Sequence, residues 1–261
     1  MRNFTFDNED NILAYYRDPD NRPLAFPQSD DIWKIFHSTN DEELWKTWKN
    51  SSSKSDLPPD FYNDDLELMM EVMRFDDQAT NSGKTHATKA KENKMLEQLR
   101  DLGVKDDFPN LKQILLLGDS GLPTEEDHNF DRYRKNFDRV ISKHAKKVDQ
   151  YRKNHPECKL IFFVLDESSG NYLQIHNLDK SNIDQGTSLL AKPHCFWADS
   201  VMVKTIKKCN ADYLIWFKPY SYIESVNGSN IALPRIVIYK LNNLNIDTIQ
   251  YDTEYMISSE I

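Results

Sequence analysis

The stretch LPPDFYNDDLELMMEVMRFDD, residues 57–77, predicts a β-hairpin with acidic residues on both strands. PDFYN is short and extended, Asp64 and Asp65 favour a turn, and LELMMEVMRF follows as a longer strand. Because side chains alternate between the two faces of a strand, one face of the longer strand is entirely apolar and should be buried. That face holds Leu66, Leu68, Met70 and Val72, and the opposite face holds Glu67, Met69, Glu71 and Met73.

Asp60 and Glu71 lie on the two strands of this hairpin, at positions where their carboxylates could point to the same place. Two carboxylates repel each other unless a cation lies between them. The pair therefore indicates either a metal site or two unrelated acids that keep the hairpin soluble and pair with nearby Lys or Arg. The residue types alone fit both interpretations.

The elements around the hairpin predict an α/β fold with a mixed central sheet flanked by helices. Helical patterns begin at Asp30 and again after Asn40, where Glu43 would complete a capping box. The longest helix should cover residues 128–154, because apolar residues recur there at steps of three and four. A continuous apolar run, CKLIFFVLDES, predicts a strand buried on both faces, and ADYLIWFKPY and PRIVIYKL predict two later strands.

The length of 261 residues fits one large domain, which we expect to span residues 30–240. Residues 1–29 are predicted to form an irregular N-terminal segment, because Pro23 and Pro27 interrupt them. Residues 241–261 are predicted to form a polar, weakly patterned C-terminal segment.

Composition excludes several classes of protein. No apolar run approaches the about 18 residues of a transmembrane helix. The N-terminal sequence MRNFTFDNEDNILAYY lacks the apolar centre of a signal peptide, so we expect a cytoplasmic protein without a membrane partner. Three cysteines without CxxC spacing predict buried thiols rather than disulfides or zinc ligands, and these are Cys158, Cys195 and Cys209.

Charge is distributed unevenly along the chain. The formal net charge of −9 argues against a protein that wraps nucleic acid over most of its surface. Residues 128–159 nevertheless hold 10 Lys and Arg against 4 acidic residues. This basic stripe predicts either a phosphate-facing surface or an ordinary solvated helix face.

Polar residues outside the hairpin are further candidates for functional roles. Asp166 and Glu167 end the buried strand, where acids can line a site or simply mark where a strand meets solvent. His144 lies on the apolar stripe of the long helix, which predicts a half-buried, hydrogen-bonded histidine rather than a general base. His194 and Cys195 are adjacent, and adjacent side chains seldom face each other as a nucleophile and its base must.

The order of a helix, a strand pair carrying Pro59-Asp60 and Glu71, a basic helix and a buried strand resembles the PD-(D/E)xK superfamily. These are restriction-endonuclease-like, metal-dependent nucleases. The resemblance covers roughly residues 30–170. It implies a restriction-endonuclease-like core, with the later strands as C-terminal elaboration of the same sheet.

The resemblance implies a nuclease that hydrolyses phosphodiester bonds of DNA or RNA with Mg²⁺ or Mn²⁺ held by Asp60 and Glu71. The family places a lysine two residues after the second acid, and this chain has Met73 there. A catalytic lysine can come from another element in this superfamily, so we expect it from the long helix, where Lys143, Lys146 and Lys147 are the candidates and Lys147 is assigned the role. Arg74 and Lys89 are weaker candidates. The basic residues that would bind nucleic acid are Arg139, Lys143 and Lys146.

The expected partner is nucleic acid, DNA in preference to RNA, and a homodimer would supply two active sites for two strands. The alternative is a catalytically inactive nuclease-fold protein that acts as a protein-interaction or nucleic-acid-binding module. Met73 in the lysine position and the net charge of −9 favour this alternative.

Overall fold

The computed structural model describes residues 9–17, 23–51, 58–77, 129–168, 171–175, 191–219, 222–223 and 231–258. The sequence also predicts a helix in KENKMLEQLRDLG and a strand in LKQILLLGD. Both of these predictions lie outside the described residues.

Helices and strands are interspersed along the described part of the chain. The α-helices are α1 (Glu9–Tyr16), α2 (Asp30–Asn40), α3 (Glu42–Trp45), α4 (Phe130–Ala145), α5 (Val148–Asn154) and α6 (Ser200–Lys208). The first strands are β1 (Pro23–Phe26), β2 (Lys49–Asn50), β3 (Phe61–Asn63), β4 (Leu68–Phe75), β5 (Lys159–Asp166) and β6 (Tyr172–Ile175). The remaining strands are β7 (Ala191–Pro193), β8 (Tyr213–Phe217), β9 (Tyr222–Ile223), β10 (Ile231–Ala232), β11 (Ile236–Lys240) and β12 (Met256–Ser258).

A seven-stranded mixed sheet, in the order β1-β11-β8-β5-β4-β3-β2, forms the centre of the fold. Strand β5 runs parallel to both β4 and β8, whereas β2, β3 and β4 form an antiparallel meander. A smaller antiparallel sheet has the order β12-β6-β7. The predicted α/β class, with a mixed sheet flanked by helices, is confirmed. Among the helices described, none has the length and apolar character needed to cross a bilayer.

Helices cover both faces of the central sheet because both faces are apolar. On one face, residues of α1 and α2 such as Ile12, Tyr16 and Ile35 pack on the strands. On the opposite face, α4, α5 and α6 supply Phe137, Tyr151 and other buried side chains. The result is a three-layer arrangement in which the sheet is almost entirely removed from water.

The predicted hairpin is present as β3 and β4. Residues of β4 alternate between the two core layers, with Met70 and Val72 on the α1–α2 side and Met69 and Met73 on the α4–α5 side. The expectation of one buried apolar face is therefore confirmed. The other face is buried as well, which leaves Glu71 as an acid between two buried methionines.

The prediction of irregular structure in residues 1–29 is wrong for α1 and β1. Strand β1 pairs in parallel with β11 at one edge of the sheet, and Ile12 and Tyr16 of α1 are fully buried. The pattern was too short to reveal α1, and β1 depends on a strand more than 200 residues away. The C-terminal polar segment likewise contributes β12, which pairs with β6.

Helix ends differ from the sequence expectation. The predicted helix over residues 128–154 is divided into α4 and α5, with Lys146 and Lys147 between them. The N-cap of α3 is Asp41 rather than Asn40, because the Asp41 side chain accepts hydrogen bonds from the N–H groups of Glu43 and Leu44. Because the N-cap lies one residue later than predicted, only Asp41 separates α2 from α3.

Phe163 of β5 has 0% exposure and packs edge-on against Tyr16 at a ring-centroid distance of 5.0 Å. We expect Phe163→Ala to lower the free energy of unfolding by about 3–5 kcal/mol, because the aromatic ring cannot be replaced without a cavity. Urea denaturation measures this loss. The matched control is Val201→Ala at a 45% exposed position, which should change the free energy by less than about 0.5 kcal/mol.

Candidate functional site

Asp60 and Glu71 meet across the β3–β4 hairpin. Phe61 pairs with Met70 in the antiparallel register, so Asp60, one residue before β3, faces the position of Glu71. The Asp60 side chain is held there because its Oδ2 accepts a hydrogen bond of 2.8 Å from the Val72 N–H. Its carbonyl oxygen accepts a hydrogen bond of 2.8 Å from the Ser51 N–H, next to β2. The meander thus fixes both the backbone and the carboxylate of Asp60.

Glu71 is 5% exposed and obtains its hydrogen bonds from the two helices above it. The Tyr151 hydroxyl of α5 donates to Glu71 Oε1 over 2.7 Å. His144 Nδ1, in the last turn of α4, lies 2.7 Å from the same oxygen. A buried carboxylate is tolerated only when such partners replace its water, so His144 and Tyr151 explain how Glu71 can lie in the core.

The electrostatics of the pair confirm that the two acids influence each other. Burial, followed by the negative charge of Glu71, raises the pKa of Asp60 to about 7. The hydrogen bond from the Val72 N–H and the nearby His144 lower the pKa of Asp60, whereas Glu9 of α1 raises it further. Burial and the hydrogen bond to Glu71 raise the pKa of Tyr151, which keeps its hydroxyl a donor. Burial and the charge of Glu71 therefore both disfavour the ionised form of Asp60.

The donor atoms of this cluster fit a hard divalent cation. Both acids offer carboxylate oxygens, which are the ligands that Mg²⁺ and Mn²⁺ prefer. Within the described residues, the hydrogen bonds of the pair go to Asp60 Oδ2 and Glu71 Oε1, and none goes to the second oxygen of either acid. A cation bound to these second oxygens would also relieve the repulsion that raises the pKa of Asp60.

Of the other predicted residues, none is placed at this cluster by a contact. Met73 is 3% exposed and packs in the core, so the strand offers no cationic group at the lysine position. Lys147 is exposed at the start of α5, and no hydrogen bond or ion pair in the described ranges joins it to either acid. The three residues expected to bind nucleic acid are all exposed on α4 or directly after it, and these are Arg139, Lys143 and Lys146.

His144 and Tyr151 are the site residues that sequence reasoning did not assign. Their separation of seven residues places them on one side of a helical pattern, which is equally typical of core residues. The expectation for His144, a half-buried and hydrogen-bonded histidine, is confirmed, but its partner is Glu71 itself. Nothing in the sequence links residue 144 to residue 71, since that contact requires the helix to lie over β4.

Asp166 and Glu167 have separate structural roles. Asp166 is fully buried, and its carboxylate accepts hydrogen bonds from the Tyr133 hydroxyl at 2.6 Å and from the Trp216 indole at 3.2 Å. Lys218 Nζ lies 3.6 Å from the same carboxylate. Glu167 pairs with Arg74 on the neighbouring strand. The buried strand thus ends in a hydrogen-bond network at Asp166, whereas the Glu167–Arg74 pair next to it is partly exposed.

His194 and Cys195 do not face each other. His194 is buried, and its Nε2 lies 2.8 Å from Asp199 Oδ2, which also accepts from Arg134 Nε at 2.9 Å. Burial lowers the pKa of His194. The Cys195 thiol instead lies 3.8 Å from the carbonyl oxygen of Pro193. The expectation that this adjacent pair is no nucleophile and base agrees with the geometry.

In comparisons with protein-family models, curated proteins and solved structures, nothing matches this chain.

The raised pKa of Asp60 predicts a specific pH dependence of stability. Its folded pKa of about 7 exceeds that of an unfolded Asp, so the folded protein loses stability as pH rises from about 4 to 7. Asp60→Asn cannot ionise, so we expect it to be more stable than the wild type at pH 8 by about 2 kcal/mol, with the difference vanishing near pH 4. Urea denaturation at several pH values, in a chelator, measures the difference.

Asp64→Asn provides the matched control. The hydrogen bond from Lys49 lowers the pKa of Asp64, so ionised Asp64 favours the folded state and its replacement should not stabilise the protein at pH 8. A pH-independent difference between wild type and Asp60→Asn would contradict the electrostatic coupling of Asp60 and Glu71.

Proposed function

We propose that this protein is a metal-dependent nuclease that hydrolyses phosphodiester bonds of DNA or RNA with Mg²⁺ or Mn²⁺ at Asp60 and Glu71. The observation that carries the proposal is the register of the hairpin, which places Asp60 opposite the buried Glu71. Burial and the charge of Glu71 together raise the pKa of Asp60 to about 7. Two converging acids destabilise a fold unless a proton or a cation neutralises one of them, and such pairs are therefore candidates for functional sites.

The arrangement of elements around the acids supports the proposal. Helix α2 precedes the β2-β3-β4 meander, and α4 and α5 directly precede strand β5, which is parallel to β4. Asp60 precedes the second strand of the meander, and Glu71 lies in the third. This is the order of elements on which the resemblance to PD-(D/E)xK nucleases rests, so the fold and the acids point to the same chemistry.

Each residue of the cluster has a role in this proposal. Asp60 and Glu71 would hold the ion, and a bound Mg²⁺ supplies a Lewis acid that polarises the phosphate and lowers the pKa of a bound water. Tyr151 and His144 fix Glu71 through Oε1, which leaves Oε2 as its ligand atom. His144, held through Nδ1, has its Nε2 to accept a proton from water or donate one to the leaving oxygen.

The remaining parts of the proposal concern the substrate. The exposed residues Arg139, Lys143 and Lys146 would bind the phosphate backbone, with DNA favoured over RNA, and a homodimer would present two sites to two strands.

Lys147 stays a prediction as the catalytic cation. His144 is a second candidate for the proton-transfer role, because it is in hydrogen-bond contact with Glu71.

Cleavage of a nucleic acid in the presence of Mg²⁺ or Mn²⁺ tests the proposal. We expect Asp60→Ala and Glu71→Ala to reduce the rate by at least about 100-fold, because each removes a ligand of the ion. His144→Gln should reduce the rate by about 10- to 100-fold while the ion still binds, because it removes a hydrogen-bond partner of Glu71 and a candidate proton-transfer group but no ligand of the ion. Gel assays of cleavage and calorimetry of Mg²⁺ and Mn²⁺ binding measure the two effects.

Asp65→Ala is the matched control for these variants, since Asp65 is an exposed acid in the turn of the same hairpin. It should retain cleavage and ion binding. Circular dichroism melts establish that each variant is folded. Cleavage that survives both Asp60→Ala and Glu71→Ala would remove these residues from the mechanism.

A second function, binding without cleavage, is favoured by Met73. This residue is buried where the resemblance calls for lysine, so the chain could be a catalytically inactive nuclease-fold protein that binds nucleic acid or a protein. For nucleic acid, the exposed basic residues of α4 and the α4–α5 junction form the candidate surface.

Salt dependence distinguishes this second function. If the basic surface binds DNA, neutralising Arg139, Lys143 and Lys147 together should weaken binding at least about 10-fold and flatten the slope of log affinity against log salt by about 2–3. Fluorescence anisotropy with a labelled duplex measures both quantities. Unchanged affinity in this triple variant would exclude the surface, and Lys207→Ala with Lys208→Ala on α6 controls for loss of positive charge elsewhere.

A further inference from the structure

A second group of metal-ligating side chains lies at the turn end of the hairpin. Asp64 belongs to the turn between β3 and β4, His155 follows α5, and Cys158 precedes β5. One donor atom from each of the three residues lies within 4.8 Å of the others. We propose that Asp64, His155 and Cys158 bind a zinc ion, with a fourth position filled by water or an added ligand. This site is separate from Asp60 and Glu71 and does not depend on the proposed nuclease function.

The donor set selects the class of metal. A thiolate, an imidazole and a carboxylate together are typical ligands of zinc, whereas Mg²⁺ and Ca²⁺ prefer oxygen alone. Three protein ligands also leave one tetrahedral position open. The Asp60–Glu71 cluster offers carboxylate oxygens instead, so the two sites should differ in the ion they favour.

The spacing of the donors is close to that of a tetrahedral site. His155 Nδ1 lies 3.6 Å from Asp64 Oδ1. With zinc–ligand bonds of about 2.0–2.3 Å, neighbouring ligand atoms in a tetrahedron are about 3.3–3.8 Å apart. The Asp64–His155 edge therefore already has the required length, and the Cys158 sulfur lies within 4.8 Å of both donor atoms.

Contacts around the group hold the donors in place before any ion binds. The Cys158 N–H donates to the His155 carbonyl oxygen over 3.2 Å, so both residues come from one turn. The ring of Tyr62 packs against His155 at a centroid distance of 4.3 Å. Lys49 Nζ donates to Asp64 Oδ2 over 3.0 Å, which leaves Oδ1 toward His155. Such outer contacts orient metal ligands and strengthen binding.

The surroundings of Cys158 keep its thiol protonated in the absence of an ion. Burial, followed by the negative charges of Asp64 and Glu67, raises the pKa of Cys158. Without a cation the thiol is therefore protonated, and binding of zinc would release this proton as the thiolate forms. Zinc affinity should consequently decrease as pH falls.

A zinc ion here would connect three separate parts of the fold. The turn after β3, the end of α5 and the start of β5 would share one ion. The same hairpin carries Glu71 and the same helix carries Tyr151, so the ion would stiffen the frame that holds the candidate active site. The expectation from cysteine spacing that Cys158 is no zinc ligand would then be replaced, because Asp64 and Cys158 meet only in the folded chain.

Cobalt substitution tests the site in the full-length protein. After chelator treatment, we expect added Co²⁺ to produce the near-ultraviolet thiolate-to-cobalt absorption band, which zinc then abolishes. Cys158→Ser should abolish this band. Asp64→Asn should weaken zinc binding at least about 10-fold, since even the loss of a residue behind a metal ligand has an effect of that size.

Two controls locate the ion and guard against unfolding. Cys195→Ser removes a thiol outside the group, and Glu71→Gln alters the carboxylate cluster, so both should keep the cobalt band. Asp64→Asn changes an exposed residue and keeps the test valid if Cys158→Ser does not fold. Absence of the band in folded wild-type protein at saturating cobalt, or its persistence in Cys158→Ser, would overturn the proposal.

Discussion

The fold depends on the complete burial of strand β5 between two parallel neighbours. All six residues of 160–165 have 0% exposure, and they alternate between the two core layers. A strand that is apolar on both faces can be stable only if helices cover both sides, and this requirement brings α1 and α2 to one face and α4 and α5 to the other. Because β4 pairs with β5 along its whole length, the position of Glu71 under α4 and α5 follows from the same constraint.

The burial of Glu71 determines the hydrogen bonding and the electrostatics of the candidate site. An acid between Met69 and Met73 is unfavourable unless donors replace the water it has lost. The structure supplies them from His144 and Tyr151, and both bonds go to one oxygen. These two bonds satisfy only one oxygen of the carboxylate, and the charge of Glu71 in turn raises the pKa of the neighbouring Asp60, after burial as the larger cause. The site therefore combines a rigid acid with a second acid that titrates near neutral pH.

The sequence was informative where structure follows from local pattern. The hairpin, the buried strand β5 and the convergence of Asp60 with Glu71 were all predicted from alternation and apolar runs. The roles of His144 and Tyr151 were not predicted, because the apolar stripe of a helix looks the same in the sequence whether the helix packs on leucines or on a carboxylate. Strand β1 was missed for a similar reason, since its partner β11 lies at the far end of the chain. Nuclease chemistry itself stays a prediction.

The division between α4 and α5 has a geometric consequence for the chain. His144 and Tyr151 reach the same oxygen from two different helices, with Lys146 and Lys147 as the only residues between those helices. One residue corresponds to about 100° of rotation in a helix. An insertion or deletion at this junction would turn Tyr151 away from Glu71 while His144 stayed in place. The length of the junction is therefore as constrained as the identity of the residues on either side, although both of its lysines are exposed.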